Sequence, residues 1–216
     1  MTEEEWDAAD LWNRFDAYKH RDRDRLRALA CACARRVLDA SASVSHPAFA
    51  GVVDVAERCA GGRTPRAELL AARKTLRAAI RGMSPAARGG QVVSVFAELT
   101  DDTLEGFEHM LHCAGAVLKK HLGRKFAAER AVLSGLVRDI FGNPFRPVVF
   151  SSDWRTDTAV SLARTMYESR EFGAMPILAD ALQDAGCDNT DILDHCRGDG
   201  PHVRGCWVVD LVLSKS

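Results

Sequence analysis

The sequence lacks any long hydrophobic run, and no apolar stretch approaches the roughly 20 residues that a membrane-spanning helix needs. Its first ten residues, MTEEEWDAAD, lack the basic start and apolar run of a secretory signal peptide. The formal net charge of −1 provides no overall field that would attract a nucleic acid or an acidic membrane surface. We therefore expect a soluble, cytoplasmic protein with no membrane partner.

Aromatic residues and regularly spaced cysteines are also scarce. Phe, Trp and Tyr make up 7% of the 216 residues, while Ala, Leu and Arg are abundant, a composition that favours helices over β-sandwiches. The seven cysteines are an odd number and follow no regular framework, so we expect free thiols in a reducing compartment. A chain of this length can bury a core without help from disulfides or metals.

Common catalytic motifs are missing as well. The chain has no GxxxxGK[ST] or GxGxxG phosphate loop, and no GxSxG or HExxH hydrolase signature. Since enzymes without these motifs exist, the sequence leaves open whether the protein is an enzyme.

Apolar residues recur at spacings of three and four through most of the chain, as on the buried face of an amphipathic helix. Helix starts are predicted at Thr2 with Glu5, at Ser45 with Pro47, at Thr64 with Pro65 and at Thr103, and helix ends at Gly61, Gly142 and Gly186. Residues 92–99 fit either a helix or a strand, the VVF run at 148–150 is the best strand candidate, and residues 207–213 combine helical spacing with a β-rich composition.

Because one three-residue run cannot form a sheet, the sequence predicts an all-α fold, an irregular multi-helix globular domain. We expect a single helical domain over residues 1–216. The segment GMSPAARGG at 82–90 is the one place where a weak subdivision is indicated.

Several blocks of the sequence are distinctive. They are MTEEEW at the start, CACARR at 31–36, DIFGNPFRP at 139–147, LADAL at 178–182, HCR at 195–197 and HVRGCWVVDL at 202–211. Together they resemble an uncharacterised family of bacterial helical proteins, in which a further cysteine often stands where this chain has Ala34. The resemblance implies a helical, cytoplasmic, bacterial protein, and it implies no activity.

Five potential metal ligands lie close together near the end of the sequence: Cys187, His195, Cys196, His202 and Cys206. Thiolate and imidazole are the usual ligands of zinc, and four of them in a tetrahedron form a closed structural site. His202 and Cys206 are four residues apart, so on a helix they would share a face. No CxxC or HxxxH pair is present, and five candidates for four positions leave the ligand set undetermined.

Two further interpretations of this stretch remain open. In the first, which the absence of a zinc motif favours, the cysteines pack in the core and the histidines bond to backbone groups or nearby acids. Asp194 and Asp210 are the acids best placed by sequence. In the second, Cys196 is a nucleophile whose thiol pKa is lowered by His195 or Arg197, although neighbours on a helix point in different directions.

Charge is unevenly distributed along the chain. Residues 63–88 hold six Arg and one Lys against the single acid Glu68, whereas residues 179–200 hold six Asp and one Arg. Four of the arginines form one stripe along a predicted helix: Arg66, Arg73, Arg77 and Arg81. Because no aromatic residue offers a stacking platform in residues 63–88, a nucleic acid is not the expected partner. We expect the basic and acidic regions to face one another, within one chain or across a homodimer.

Charge and apolar patterning without catalytic signatures favours a non-enzymatic helical interaction module, whose partner is another protein or a second copy of the chain. The alternative is a metal-binding protein or metal-dependent enzyme that uses the cysteines and histidines at 187–206, with zinc as the ion. No other cofactor is expected. A nucleic-acid accessory protein that uses the arginine stripe is a third hypothesis.

Overall fold

A computed structural model describes residues 2–9, 11, 22–40, 46–62, 64–84, 90–100 and 103–215 of the chain. These residues form α-helices, turns and short 3-10 segments with no β-strand among them, so the all-α prediction is confirmed. The helices in chain order are α1 (Glu3–Ala8), α2 (Arg23–Ala40), α3 (Pro47–Ala60), α4 (Arg66–Gly82), α5 (Gln91–Glu98), α6 (Leu104–Leu122), α7 (Phe126–Phe141), α8 (Asp157–Ser169), α9 (Met175–Asp184), α10 (Thr190–Arg197) and α11 (Trp207–Val212).

Local capping explains where several helices begin and end. Thr2 and Glu5 form the predicted capping box, in which the Glu5 N–H donates to the Thr2 hydroxyl at 3.2 Å and the Thr2 N–H donates to the Glu5 carboxylate at 2.8 Å. The Thr103 hydroxyl accepts from the Gly106 N–H at 3.0 Å and starts α6. Gly142 follows the last residue of α7 with a φ of 72°, a conformation that favours glycine.

The segments of ambiguous pattern contain no strand. Residues 92–98 lie in α5 and residues 207–212 in α11, so the helical alternative is confirmed for both. Residues 148–150 have no regular secondary structure, and Val149 is 86% exposed. A strand needs a neighbouring strand for its backbone hydrogen bonds, and the described residues include none. Ser45 lies outside the described residues, and His46 caps α3 through its ring nitrogen.

The chain divides into two compact units. The terminal unit comprises Met1–Arg14 and Ser134–Ser216, and the central unit comprises Phe15–Leu133. Residues 82–90 fall inside the range of the central unit, so the boundary between the two units does not coincide with the subdivision predicted there. Residues 85–89 of that segment lie outside the described part of the chain. The single domain over residues 1–216 stays a prediction.

In the central unit, α2 packs against α3 and α6, and α5 packs against α6. Ion pairs supplement this apolar packing. Arg35 on α2 contacts Asp54 at 2.6 Å and also Glu57, both on α3. Arg36, the next residue of α2, binds both carboxylate oxygens of Glu129 at 2.6 and 2.5 Å. Because Glu57 and Glu129 are each 7% exposed, these bidentate pairs fix the position of α2 more firmly than surface ion pairs would.

The arginine stripe lies on α4, as the sequence predicts. Arg66, Arg77 and Arg81 are exposed and Arg73 is partly buried. That the stripe faces the acidic residues 179–200 stays a prediction. No helix of the described residues combines the length and the apolarity that crossing a membrane requires.

In the terminal unit, helices α8 to α11 surround one apolar core. Helix α8 contacts α9 and α11, and α10 contacts the same two helices. Three of the seven cysteines, Cys187, Cys196 and Cys206, are buried in this core, and all seven are free thiols. This packing brings the segment from α10 to the start of α11 against the last turns of α7.

Candidate metal centre

Four side chains with metal-binding atoms converge in the terminal unit. They are Asp139 near the end of α7, His195 on α10, His202 in the connection from α10 to α11, and Cys206 immediately before α11. One ligand atom from each residue lies within 4.8 Å of every other. Three segments of the chain therefore present an oxygen, two nitrogens and a sulfur to one point.

Three of the distances within the group are close to those between the ligands of a single small ion. His195 Nε2 lies 3.2 Å from Asp139 Oδ1 and 3.2 Å from Cys206 Sγ. His202 Nδ1 lies 2.8 Å from the same Asp139 oxygen. Tetrahedral zinc, with bonds of about 2.0 Å to nitrogen or oxygen and about 2.3 Å to sulfur, holds its ligand atoms about 3.3–3.5 Å apart. These three separations, 2.8 to 3.2 Å, are somewhat shorter than the tetrahedral values, and the remaining pairs lie within 4.8 Å, so the ligand atoms would have to rearrange around a bound ion.

Neighbouring backbone groups hold the second polar atom of two of these side chains. The Val203 N–H donates to Asp139 Oδ2 at 2.8 Å, which leaves Oδ1 facing the histidines. His202 Nε2 lies 3.4 Å from the Gly198 carbonyl oxygen, which leaves Nδ1 facing Asp139. Metal-binding histidines in proteins are typically oriented by such outer contacts, in which the other ring N–H donates to a carboxylate, a backbone carbonyl or water.

Asp139 and His202 shift each other's pKa values in the directions expected for the partners of a buried ion pair. Asp139 is 1% exposed, and burial alone would raise the pKa of its carboxyl group. Hydrogen bonds from His195 and His202 outweigh that effect, so the pKa lies below its usual value. Burial likewise opposes protonation of His202, and the bond to Asp139 outweighs it and raises the pKa of the imidazole. The carboxylate is thus ionised at neutral pH and is available as a ligand.

Cys206 differs from a reactive cysteine. Its side chain is completely buried, and burial together with the negative charge of Asp139 raises the pKa of the thiol well above its usual value. A thiol in this environment stays protonated at neutral pH unless a metal ion displaces the proton. The position therefore suits a metal ligand and does not suit an unassisted nucleophile.

The Asp139 carboxylate lies in an apolar region because the neighbouring residues of α7 are buried. Leu136, Val137 and Ile140 on α7 are all buried, and Asp139 lies within the same buried turn. One turn earlier, a Cβ added at Gly135 would lie 2.6 Å from the Pro201 ring. Only glycine at this position allows the chain to pass so close to α7, and this approach places the next residue, His202, beside Asp139.

Three of the five ligands proposed from the sequence belong to the group: His195, His202 and Cys206. Cys187 and Cys196 are buried in the same core but are not members of it. Cys196 is fully buried, and burial, with smaller effects from Cys187 and Asp139, raises the pKa of its thiol to about 12. That environment opposes the hypothesis that Cys196 is a nucleophile with a lowered pKa.

Asp139 is the member of the group that the sequence analysis missed. It supplies the acidic contact of both histidines, a role that the sequence analysis predicted for Asp194 and Asp210. The sequence offers little signal for it, because Asp139 and its exposed neighbour Arg138 both interrupt LVRDIF. A charged residue at a buried position requires a partner, because an unpaired buried charge is costly.

The arrangement can bind a metal ion or can hold together as a hydrogen-bonded cluster of a buried carboxylate and two imidazoles. It contains no exposed nucleophile and no thiol with a lowered pKa. No protein-family model, curated protein or solved structure matches the chain.

Proposed function

We propose that the protein binds one divalent transition-metal ion, with zinc as the best match, through Asp139, His195, His202 and Cys206. The observation that carries the proposal is the convergence of four ligand atoms from three separate segments to within 4.8 Å of one another. This proposal takes up the metal-binding alternative from the sequence and replaces Cys187 and Cys196 with Asp139 in the ligand set.

The chemistry of the donor atoms selects the class of ion. Two imidazole nitrogens and one thiolate suit zinc and related transition metals, whereas calcium and magnesium prefer sites made of oxygen atoms. A carboxylate is an acceptable fourth ligand for zinc. Bound zinc would also stabilise the thiolate form of Cys206, which the surroundings alone do not favour.

We assign the ion a structural role. Catalytic zinc sites usually keep one position for water or substrate beside three protein ligands, whereas four protein ligands make a closed site. Asp139 and Cys206 are almost completely buried, and the side chains of His195 and His202 are only 16% and 8% exposed. A closed site that joins α7 to the segment at 195–206 fits the broader hypothesis of a non-enzymatic helical interaction module.

The competing account is a hydrogen-bonded cluster without metal, which is the packing interpretation of the same residues. The contacts of His202 with Asp139 and with the Gly198 carbonyl agree with it. The 3.2 Å contact of Cys206 Sγ with His195 Nε2 is also within hydrogen-bonding distance, so it agrees with both accounts. The convergence of four potential ligand atoms is what favours the metal.

Metal content separates these two accounts. We expect the untagged protein, dialysed against metal-free buffer, to retain one equivalent of zinc by elemental analysis, and Cys206→Ser and Asp139→Asn to lose it. Cys187→Ser is the matched control, because it removes a buried thiol from the same core outside the group and should leave zinc bound.

Cobalt provides a second readout. Loaded with Co²⁺, the protein should show thiolate-to-metal charge transfer that disappears in Cys206→Ser and persists in Cys187→Ser. A protein that retains no zinc and gives no cobalt spectrum, or that loses zinc equally in Cys187→Ser, would refute the proposed site.

A further inference from the structure

Helix α1 is attached to two elements that lie beside the candidate metal centre, and all of the contacts involved fall within the terminal unit. Its one aromatic residue, Trp6, is only 1% exposed. At the end of α1, the Asp7 carboxylate accepts from Arg138 on α7 at 3.0 Å, and the Asp7 carbonyl oxygen accepts from the same guanidinium at 2.7 Å. Because Arg138 directly precedes Asp139, α1 is held to the turn of α7 that supplies the carboxylate of the site.

Glu3, at the start of α1, contacts the connection that follows α7. Its Oε1 atom accepts from the Asn143 side-chain amide at 2.9 Å and pairs with Arg146 Nε at 2.5 Å. Asn143 also fixes the turn in this connection, because its carbonyl oxygen accepts from the Arg146 N–H at 3.3 Å and its side-chain oxygen accepts from the Phe145 N–H at 2.9 Å. The turn at residues 143–146 thus presents the Arg146 guanidinium to α1.

The same guanidinium also reaches α10. Arg146 Nη1 lies 3.3 Å from Oδ1 of Asp191, which is in the first turn of α10. His195, a proposed ligand, is four residues further along α10, so it lies one turn away on the same face of the helix as Asp191. Arg146 therefore links the acidic start of α1 to the helix that carries one histidine of the metal centre.

This link consists of exposed ion pairs. The side chains of Glu3, Arg146 and Asp191 are 34%, 55% and 35% exposed. Exposed pairs are individually weak and are screened by salt, but charges that form a network contribute more than isolated pairs do. A closed metal site releases its ion only when the elements that carry the ligands move apart, so α10 must separate from α7. The two ion pairs of Arg146 oppose this separation.

We propose that Arg146 is a positioning residue of the metal centre, which holds α10 to α1 and thereby slows the release of the ion. This inference rests on the proposed function of the protein. Among the described residues, the hydrogen bonds and ion pairs of Arg146 go to Glu3, Asn143 and Asp191 and to none of the four ligands, so it acts through α10. Because the link is electrostatic, release of the ion becomes faster as the ionic strength rises.

The rate of zinc release to an excess of a chromogenic chelator tests the proposal in the full-length protein. Arg146→Gln should release zinc about three- to tenfold faster than the unmodified protein, because two exposed ion pairs each contribute modestly to holding α10. Arg146→Lys retains the charge and should restore part of the slow release. The matched control is Glu4→Gln, which removes one charge from an exposed position of α1 outside these pairs and should change the rate less than about 1.5-fold.

Two measurements distinguish this role from a general loss of packing. Glu3→Gln loses the charge but keeps a side-chain oxygen that can accept from Asn143. It should speed zinc release in the unmodified background and have little further effect in Arg146→Gln, since both substitutions break the same ion pair. Added salt should accelerate release from the unmodified protein more than from Arg146→Gln, because the variant already lacks the pairs that salt screens.

Hydrogen exchange distinguishes failure of this inference from failure of the metal centre. In the metal-free protein, the amides of α10 should exchange faster in Arg146→Gln than in Glu4→Gln, because α10 has lost an attachment. A protein that retains no zinc would refute the proposed function, and the exchange of α10 would then decide whether Arg146 positions that helix. Equal zinc release from Arg146→Gln and Glu4→Gln, or equal exchange of α10 in the two variants, would overturn the positioning role.

Discussion

The carboxylate of Asp139 and the imidazole of His202 are 63 residues apart in sequence and 2.8 Å apart in the terminal unit. The same carboxylate also contacts His195 and the Val203 N–H. Asp139 is thus the one residue through which α7 holds both histidines of the candidate metal centre. Replacing Asp139 should therefore destabilise the protein even when no metal is bound.

We expect Asp139→Ala to lower the free energy of unfolding of the metal-free protein by about 3–5 kcal/mol, the usual cost of removing one partner of a buried charged pair. Urea denaturation in the presence of a chelator measures the change. Asp153→Ala, at an exposed position of the same unit, should stay within about 0.5 kcal/mol of the unmodified protein. A loss below about 1 kcal/mol in Asp139→Ala would show that the cluster is not a buried ion pair.

Gly135→Ala should weaken zinc binding without removing a ligand. The new methyl group would lie 2.6 Å from the Pro201 ring, so the chain carrying His202 must move away from α7. We expect the affinity for zinc to fall about 10–100-fold, as it does when an outer contact of a metal ligand is lost. Competition with a fluorescent zinc chelator measures this affinity.

Gly51→Ala is the control for that substitution. It also lies within a helix, and a Cβ there meets nothing within 4 Å. It should therefore leave zinc affinity unchanged and stabilise α3 slightly, since alanine is the better helix former. If Gly135→Ala binds zinc as tightly as Gly51→Ala does, the close approach of Pro201 does not position His202.

Removal of zinc should destabilise the terminal unit. An ion that binds only the folded state adds about 4 kcal/mol when its free concentration is a thousand times its dissociation constant. All four tryptophans fall in the residue ranges of the terminal unit, and the Trp207 ring lies 5.2 Å from that of His195. We therefore expect a chelator to lower the midpoint of urea unfolding, as measured by tryptophan fluorescence. Cys206→Ser should show little further change on chelation, and an equal shift in both proteins would exclude zinc release as its cause.

Alkylation should distinguish Cys59 from the other six thiols in the folded protein. Cys59 is partly exposed, whereas the other six cysteines are buried. Burial raises the pKa of Cys33 to about 12 and places the pKa values of Cys31 and Cys206 well above the usual value, so these thiols form little reactive thiolate. Mass spectrometry at mildly alkaline pH should detect one fast addition, absent from Cys59→Ser. Equally fast modification of Cys206 in the metal-free protein would contradict the burial described for the site.

Helix positions could be predicted from the sequence wherever the determining contacts are local. The capping box of Thr2 with Glu5, the cap at Thr103 and the end at Gly142 depend on residues within one turn, and the structure confirms each. The secondary structure of residues 148–150 could not be predicted in the same way, because a strand forms only beside another strand elsewhere in the chain.

The helical class and the candidate ligands His195, His202 and Cys206 can be predicted from the sequence, since residue types and proximity along the chain are visible without a fold. Helix packing is what brings Asp139 into the group and keeps Cys187 and Cys196 outside it. The two kinds of information differ in the range of the interactions involved. Helical periodicity repeats every 3.6 residues and shows which face of α7 is buried, whereas the partner of a buried carboxylate is set by the packing of helices more than fifty residues apart.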